Sequence, residues 1–558
     1  MNKRQWEFSG CSGVRAGVGA ASAAALGLLL LGCSTGTDWE AKRAEALNRP
    51  REVIYNNDGN EPYLWPTNQP FSIAAFLDMR TTPVLGSQVD SVFYCPISSG
   101  FGFLSANIPS ADLMLRDLGT VEHLAGKKNV LQNFLDMGTD PVREVVSWCR
   151  TNRLEVFVTL RVNDTHDQAT DQTRVGPPYA YPGNALYSPF KIRHPEFLMG
   201  SCTNRPPYCS WSAVEFTHEA VRERFFEMCR DVCAHYDTDG LDLDFFRHMQ
   251  LFKSVAWGGT ASDAERAMMT ALMRRVRAAA DAEGKRRGRP ILLSARVPDS
   301  VPFCRDVGID LEAWLREGLL DLVFTSGYWR HNPWQYTVDL CRRYNVKCYA
   351  SLDESRLGKP VAPALNRQTA ATYRARAMAA RQAGLEGVMY FNLFSPAQIR
   401  AFMKGNPERM RLDDKSYFVS YRGHQKGAGR YVKGAERHFA LPELSASAPA
   451  QLAPGKSCAF PVWIGDDIAA LVQAGVRPRC ELLLDVAVPE GAALSVTVNG
   501  HAVTGEPVDS RIRRYPLRLE DLVCGENRLG FSVAEGKGLK AVTLKDAGIF
   551  LTGFPKAN

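Results

Sequence analysis

The sequence predicts a (β/α)₈ barrel followed by a small C-terminal β-sandwich. Short apolar or β-branched runs alternate with longer helical patterns eight times between about residue 50 and residue 405, and eight parallel strands close a barrel. No Gly-x-Gly-x-x-Gly phrase follows the first run, as a dinucleotide-binding open sheet would have. From about residue 455 the runs become short and alternating, with Gly, Pro and Asp between them, which is typical of a sandwich. A doubly wound open sheet is the alternative for the first part.

Each barrel strand is predicted from an apolar run of ordinary strand length. These runs are 52–58, 90–95, 154–164, 240–246, 291–298, 321–329, 346–354 and 387–394. Between them, residues 219–236 place Val221, Phe225 and Cys229 on one helical face, and 369–384 closes with Gly384, a typical helix stop. The predicted domains are therefore the barrel at 50–405, a polar linker at 406–454 and the sandwich at 455–558.

The N-terminal segment has the pattern of an export signal. Lys3, Arg4 and Arg15 precede the apolar run "AASAAALGLLLLGC", which is short for a membrane span. The phrase Leu30-Leu31-Gly32-Cys33 resembles the bacterial lipobox, in which the cysteine is lipidated and becomes the mature N-terminus. We expect a lipoprotein signal peptide at 1–32, a tether at 33–49, and an exported lipoprotein anchored to the cell envelope, at the outer membrane or cell surface, through Cys33. An ordinary signal peptide is the alternative.

The charge and the cysteines argue against several classes of partner. The 558 residues carry a net charge of +7, which is dilute, and no block of Lys and Arg stands out, so we expect no nucleic-acid partner. No Cys-x-x-Cys phrase or His/Cys cluster has zinc spacing, so we expect no metal and no cofactor.

The fourth predicted strand, "GLDLDFF", places two aspartates inside a buried run. Leu241 and Leu243 share one face, which belongs against the helices, so Asp242 and Asp244 point to the barrel axis. The same alternation on other strands predicts these inward residues: Thr159, Arg161, Asn163, Ser294, Arg296, Tyr349, Ser351, Asp353, Tyr390 and Asn392. Polar residues therefore accumulate at the C-terminal ends of the strands, where barrel enzymes carry their chemistry.

Two interpretations of these acids are open. One is an inert ion-pair layer, for example Asp242 with Arg296 and Asp244 with Arg161, and we favour it for the deeper Asp242. The other is catalysis, which we favour for Asp244 at the end of its strand. Like-charged neighbours raise the pKa of a carboxyl group, which suits a general acid.

Two carboxyl groups facing each other across a barrel mouth are suited to glycoside hydrolysis. Strands four and seven lie on opposite sides of the mouth, so the catalytic candidates are Asp244 together with Asp353 or its neighbour Glu354. The substrate-binding candidates are the remaining polar and aromatic residues near the strand ends: Asp242, Arg161, Asn163, Asp164, His166, Arg247, His248, Arg296, Tyr328, Trp329, Tyr390 and Asn392. Asn56, Asn57 and Asp58 close the first strand, where they line the pocket or form a turn.

The stretch "YDTDGLDLDFFRH", with the helix "FTHEAVRERFFEMCRDVCAHY" before it, resembles the fourth helix–strand unit of the glycosyl-hydrolase-like family 10 proteins. "LRVNDTHD" and "SPFKIRHPEFL" are similar to their third-strand and loop phrases. The resemblance implies an exported barrel acting on a carbohydrate, with Asp244 as the family's strand-end aspartate. The phrase "DGLDLD" is also similar to a chitinase pattern, but that pattern requires Glu where this chain has Phe246.

We therefore expect a surface-anchored glycoside hydrolase acting on a polysaccharide or glycan. The alternative is a lipoprotein that binds glycan without cleaving it. A metal at the carboxylate cluster is disfavoured, because arginines rather than histidines are nearest in the pattern. Phrases such as "LSVTVNG" in the C-terminal sandwich resemble carbohydrate-binding modules, and a purely structural role is the alternative.

Overall fold

The computed structural model describes residues 38–96, 100–116, 126–168, 186–353, 362–421, 425–536 and 540–555. The chain divides into two units, Met1–Asn48 and Arg49–Asn558, and residues 38–48 of the first unit are helical. The predicted signal peptide and the lipidation site Cys33 lie outside the described residues. Within those ranges, every helix is too short or too polar to cross a bilayer.

Eight parallel strands form a closed barrel, which confirms the predicted fold class. The strands are β1 Val53–Asn57, β2 Ser91–Tyr94, β3 Glu155–Arg161, β4 Gly240–Asp244, β5 Leu292–Val297, β6 Leu322–Thr325, β7 Lys347–Leu352 and β8 Val388–Tyr390. Each strand pairs with its neighbours in chain order, and β8 pairs with β1 to close the ring.

A helix follows each barrel strand. These helices are α1 Ile73–Arg80, α2 Pro141–Thr151, α3 Glu219–His235, α4 Asp263–Arg287, α5 Leu311–Arg316, α6 Trp334–Arg343, α7 Ala370–Gln382 and α8 Pro396–Phe402. Further helices of four to seven residues are Leu131–Asp136, Pro189–Arg193, Lys253–Ala256, Val301–Val307, Pro407–Met410, Gln425–Ala428 and Ile468–Gln473. The ends of helix α4 are set by its capping residues. Ser262 and Glu265 form a capping box at its start, and Gly288 ends the helix in the left-handed conformation.

Aromatic rings fill the middle of the barrel. Phe157 stacks on Phe93 with ring centroids 4.3 Å apart, and Phe324 contacts both Phe93 and Tyr349. A Cβ on Gly240 would lie 2.1 Å from the Phe157 ring, so only glycine fits there. The barrel is thus packed shut beneath its mouth, and chemistry is confined to the C-terminal ends of the strands.

The C-terminal part is a two-sheet sandwich. Its strands are β9 Lys415–Phe418, β10 Ala450–Leu452, β11 Ser457–Ile464, β12 Arg479–Ala487, β13 Leu494–Val498, β14 His501–Val503, β15 Glu506–Pro507, β16 Ile512–Leu517, β17 Gly525–Val533 and β18 Val542–Thr552. One sheet has the order β9-β18-β12-β16-β15, with β10 also on β18, and the other has the order β11-β17-β13-β14. Leu482 and Leu529 belong to the core that the two sheets share.

The segment 406–454 is more than the linker that the sequence predicts. It supplies β9 and β10, which both pair with the last strand β18. Lys415 is buried and lies 2.7 Å from the carboxylate of Asp466. Two strands of three and four residues within a polar stretch give too little periodicity to recognise from sequence alone.

Candidate functional site

The barrel mouth is built from inward side chains at the ends of β3, β4 and β5. Strand register pairs Asp242 with Thr159 and Ser294, and Asp244 with Arg161 and Arg296. Leu241 and Leu243 instead join the core that includes the outer helices. The predicted inward orientation of both aspartates is therefore present in the structure.

Asp244 is a fully engaged carboxylate. Its Oδ1 accepts hydrogen bonds from the backbone N–H groups of Phe246 and Arg247 at 3.0 and 2.9 Å, and from Arg296 Nε at 3.0 Å. Its Oδ2 accepts a further bond from the same guanidinium. The cationic partner of Asp244 is thus Arg296 on β5. The ion-pair alternative expected Arg161, which lies on β3. Such a bidentate pair fixes both the charge and the orientation of the carboxylate.

Asp242 lies one layer deeper and is only 1% exposed. Burial raises its pKa to about 6, the nearby Asp244 charge adds to this, and a hydrogen bond from Ser294 Oγ at 2.7 Å opposes it. The two carboxyl groups on this strand therefore lie in different environments, because only Asp244 is paired with a guanidinium group.

We expect the Asp242→Asn protein to gain stability relative to the wild type as the pH rises. A carboxyl group with a folded pKa of about 6, above its ordinary 3.8, stabilises the fold below about pH 4, and that contribution is lost as the pH rises through 6. The shift corresponds to about 3 kcal/mol between pH 4 and pH 8. Denaturant unfolding of both proteins across this range measures the difference, and a difference that stays constant with pH contradicts the prediction.

Arg161 joins the acids on the other side of the mouth. Its guanidinium donates to Asp58 at the end of β1 and to Asp164 at 3.1 Å. Burial would raise the pKa of Asp58, but the guanidinium charges of Arg161 and Arg247 outweigh it and lower that pKa. The carboxylate of Asp58 is thus ionised, and its side chain is 15% exposed against 4% for Asp244.

The solvent-facing part of the mouth contains His166, Arg247 and Tyr328. Arg247 donates to Nε2 of His166 at 2.6 Å and to the hydroxyl of Tyr328. His166 therefore carries its proton on Nδ1, which donates to Asp164 Oδ1 at 2.6 Å. The side chain of His166 is 34% exposed, so a ligand in the mouth can reach it.

Asp164, His166 and His248 also have the spacing of a cation site. One ligand atom from each lies within 4.8 Å of the others, and burial lowers the pKa of His248 well below its ordinary value. However, Arg161 donates to Asp164 and Arg247 donates to His166. Two guanidinium charges in direct contact with the same group disfavour a cation, so we assign no metal to it.

The structure corrects the orientation predicted for β8. Tyr390 is paired with Tyr55 and Leu352, faces the helices, and donates its hydroxyl to the Lys404 carbonyl at 2.6 Å. The mouth is instead lined by Phe391, whose ring lies 4.2 Å from the Arg296 guanidinium carbon. The run "VMYF" offers no contrast between polar and apolar positions, so alternation alone assigns it to the wrong face.

Asn392 and Asn163 were predicted to point inward, towards substrate. Asn392 follows β8 with a φ of 59°, a left-handed conformation in which strand alternation no longer holds. Asn163 is buried, and its amide donates to and accepts from the backbone of Val214 at 2.8 and 3.0 Å. Its side chain holds the loop after β3 in place and does not reach the mouth.

Two of the remaining predicted residues line a neighbouring cavity, which we call the side cleft. Its lining residues are Ser326, Gly327, Trp329, Arg330, Trp334, Leu352, Asp353, Arg376, Ala379, Phe418, Val419, Tyr421, Leu441 and Trp463. Asp353 lies at the end of β7, and its carboxylate is 3.8 Å from the guanidinium of Arg376. Glu354, the alternative to Asp353, lies outside the described residues. The sequence did not predict that Arg330 and Trp463 line this cleft.

No family model matches this chain, and no curated protein matches it in sequence. Among solved structures, an α-L-fucosidase from Paenibacillus thiaminolyticus matches with 12% identity and a TM-score of 0.39, over 66% of this chain and 51% of the fucosidase. This chain thus spans about half the length of that enzyme.

Two shorter structures match over nearly their whole length. The glycoside hydrolase domain of PgaB (BpsB) from Bordetella bronchiseptica matches with 12% identity and a TM-score of 0.35, over 64% of this chain and 99% of that domain. A family 18 N-acetylglucosaminidase from Paenibacillus barengoltzii matches with 13% identity and a TM-score of 0.34, over 64% and 100%. All three similar structures are glycoside hydrolases. The assignment of the barrel rests on the strand pairing described above.

Proposed function

We propose that this protein is a glycoside hydrolase that binds a glycan at the barrel mouth. The observation that carries the proposal is the convergence of Asp58, Asp164 and Asp244 around the Arg161 guanidinium, at the C-terminal ends of the strands. Ionised carboxylates there can stabilise the positive charge that develops on a sugar ring during hydrolysis. Membership of the glycosyl-hydrolase-like family 10 is part of the proposal and rests on the phrase "YDTDGLDLDFFRH".

We assign the essential ionised carboxylate to Asp244. Asp58 and Asp164 both accept from Arg161, which also interacts with the charge of Asp244, and Asp164 is fully buried. Asp58 is the more exposed of the two, so it is the one that a substrate or a water molecule reaches directly. Of the two proton donors that the sequence predicts, Asp353 lines the side cleft against Arg376, so we retain Glu354, which lies outside the described residues.

The experiment is a screen of polysaccharides and aryl glycosides for release of reducing ends or of the aryl group. On the substrate that responds, we expect Asp58→Asn to lower kcat by about 10²-fold or more, because a charged group at the reacting centre is removed. Asp237→Asn is the matched control, since Asp237 is an exposed acid paired with Arg289 at the opposite end of the barrel. Equal loss in both variants contradicts the assignment. Glycan binding without any turnover supports the non-catalytic alternative instead.

We also propose that the protein is an exported bacterial lipoprotein held on the cell envelope through Cys33. The support is the sequence of residues 1–33, with its basic start, apolar run and Gly32-Cys33 end. A Cys33→Ser protein is expected to move from the membrane fraction to the soluble fraction after expression in a bacterial host. An unmodified wild-type N-terminal peptide in mass spectrometry contradicts the anchor.

A further inference from the structure

The side cleft lies between the barrel and the C-terminal sandwich. The ends of β6 and β7, the start of α6 and helix α7 form one wall, and Phe418, Tyr421 and Trp463 form the other. Both domains therefore contribute to one cavity beside the mouth.

Arg330 is a cation in this cleft that no acid neutralises directly. Its guanidinium carbon lies 4.7 Å from the Trp334 ring and 5.7 Å from the Trp463 ring. Burial lowers the pKa of Arg330 to about 10, and its guanidinium makes no hydrogen bond or ion pair with any residue that the structure describes.

The nearest acids are engaged elsewhere. Asp299, whose charge reaches Arg330, accepts hydrogen bonds from the backbone of His331 and Asn332 and from the His331 ring. Asp353 on the same wall is paired with Arg376. Because Asp299 is held by the backbone and Asp353 by Arg376, no described acid occupies the N–H groups of Arg330, and they can donate to the oxygens of an anion.

Trp329 gives a second, independent sign of a ligand. The residue is 3% exposed, its indole lines the cleft, and its Nε1–H has no acceptor among the described residues. A buried N–H group without a partner is unfavourable, and an acceptor oxygen on a bound ligand would satisfy it. The nearest cleft walls are apolar or aromatic, including Leu352, Leu441 and the ring of Trp463.

We propose that the side cleft binds a sugar unit that carries a carboxylate, such as a uronic acid. The planar guanidinium of Arg330 suits a carboxylate, because its N–H groups can donate two parallel bonds to the two oxygens. The C–H face of a sugar ring packs against Trp463, and a ring or hydroxyl oxygen accepts from Trp329 Nε1. This site goes beyond the proposed function, since it requires no cleavage and lies apart from the carboxylates of the mouth.

The test is equilibrium binding of D-glucuronate and D-galacturonate to the full chain, with D-glucose and D-galactose as uncharged counterparts. We expect the acids to bind by calorimetry and the neutral sugars to bind at least tenfold more weakly. Arg330→Gln is expected to weaken binding of the acids at least tenfold, and Arg342→Gln, an exposed arginine on α6, to leave it unchanged. Equal binding of acid and neutral sugars, no binding of either acid, or unchanged binding by Arg330→Gln overturns the proposal.

Trp329→Phe tests the site without removing a charge. It deletes the indole N–H donor together with one ring of a buried side chain, so we expect acid binding to weaken several-fold and the unfolding midpoint to fall. Unchanged affinity in this variant overturns the assigned pose even if Arg330→Gln fails to fold. Asp244→Asn is expected to bind the acids as the wild type does. Loss of hydrolysis and loss of acid binding are therefore separate outcomes.

Discussion

Asp244→Asn is expected to abolish hydrolysis, with kcat reduced by about a thousandfold, while glycan still binds. The carboxylate is held by two backbone N–H groups and a bidentate Arg296, so it is preorganised before substrate arrives. A fixed charge in a water-poor site stabilises developing charge more than one that must reorient, and removing such a group costs catalysis on this scale. Steady-state kinetics together with binding to a non-hydrolysed glycan measure both parts.

Asp244→Asn is also expected to destabilise the fold. A control variant distinguishes this loss of stability from the loss of turnover. Arg296 has a side chain only 4% exposed, and an uncompensated buried charge costs about 3–5 kcal/mol. Asp321→Asn is the matched control, because Asp321 accepts from Arg277 in an equally buried pair at the other end of the barrel. We expect a smaller loss of stability, because Arg277 keeps Asp281 at 2.6 Å, and full turnover in that variant. If both variants lose activity to the same extent, Asp244 supports activity only by stabilising the fold, and it takes no part in catalysis.

Arg367→Met is expected to lower the free energy of unfolding by about 3–5 kcal/mol, because it breaks a buried ion pair. Arg367 precedes α7 and donates two hydrogen bonds, at 2.8 and 2.6 Å, to Asp546 in the last strand of the sandwich. Its guanidinium also stacks 3.9 Å from the Phe418 ring and donates to the Ser420 carbonyl. The substitution leaves Asp546 buried without its cation.

Denaturant unfolding followed by both tryptophan fluorescence and circular dichroism measures this loss. Arg374→Met is the control, since Arg374 pairs with the 42% exposed Asp413 at 3.6 Å, and such a pair contributes less than about 1 kcal/mol. Adding Asp546→Leu to Arg367→Met is expected to recover part of the stability, because the unpaired charge is then removed. A loss as small as that of the control contradicts the importance of this pair.

The sequence predicted the direction of Asp242 and Asp244 because leucines flank them. An apolar residue on each side of a charged one makes the two faces of a strand unequal, and only one orientation buries the leucines against the helices. The same reasoning gave the wrong face for Tyr390, where neighbouring residues are all apolar. Alternation predicts orientation only where adjacent positions differ in polarity.

The partners of the charged residues were beyond the reach of the sequence. Asp244 pairs with Arg296 across 52 positions, and Arg161 pairs with Asp58 across 103. Alternation placed Asp244, Arg296 and Arg161 near one end of the barrel, and Asp58 follows the first strand there, but the sequence did not decide among the possible pairings and suggested Asp244 with Arg161. Strand register and the size of each side chain decide among those pairings, and both are properties of the closed ring.

The sequence by itself determined the eight-stranded barrel, the later sandwich and the end of the barrel at which polar side chains collect. These follow from local periodicity, which each segment carries independently of the others. Only the tertiary structure decided that Asp244 is locked to Arg296, that Asp353 faces a different cavity, and that Arg330 meets Trp463 from the other domain. Such contacts depend on the positions that distant segments take in the folded protein. The free energy that stabilises these positions comes from packing of the whole chain.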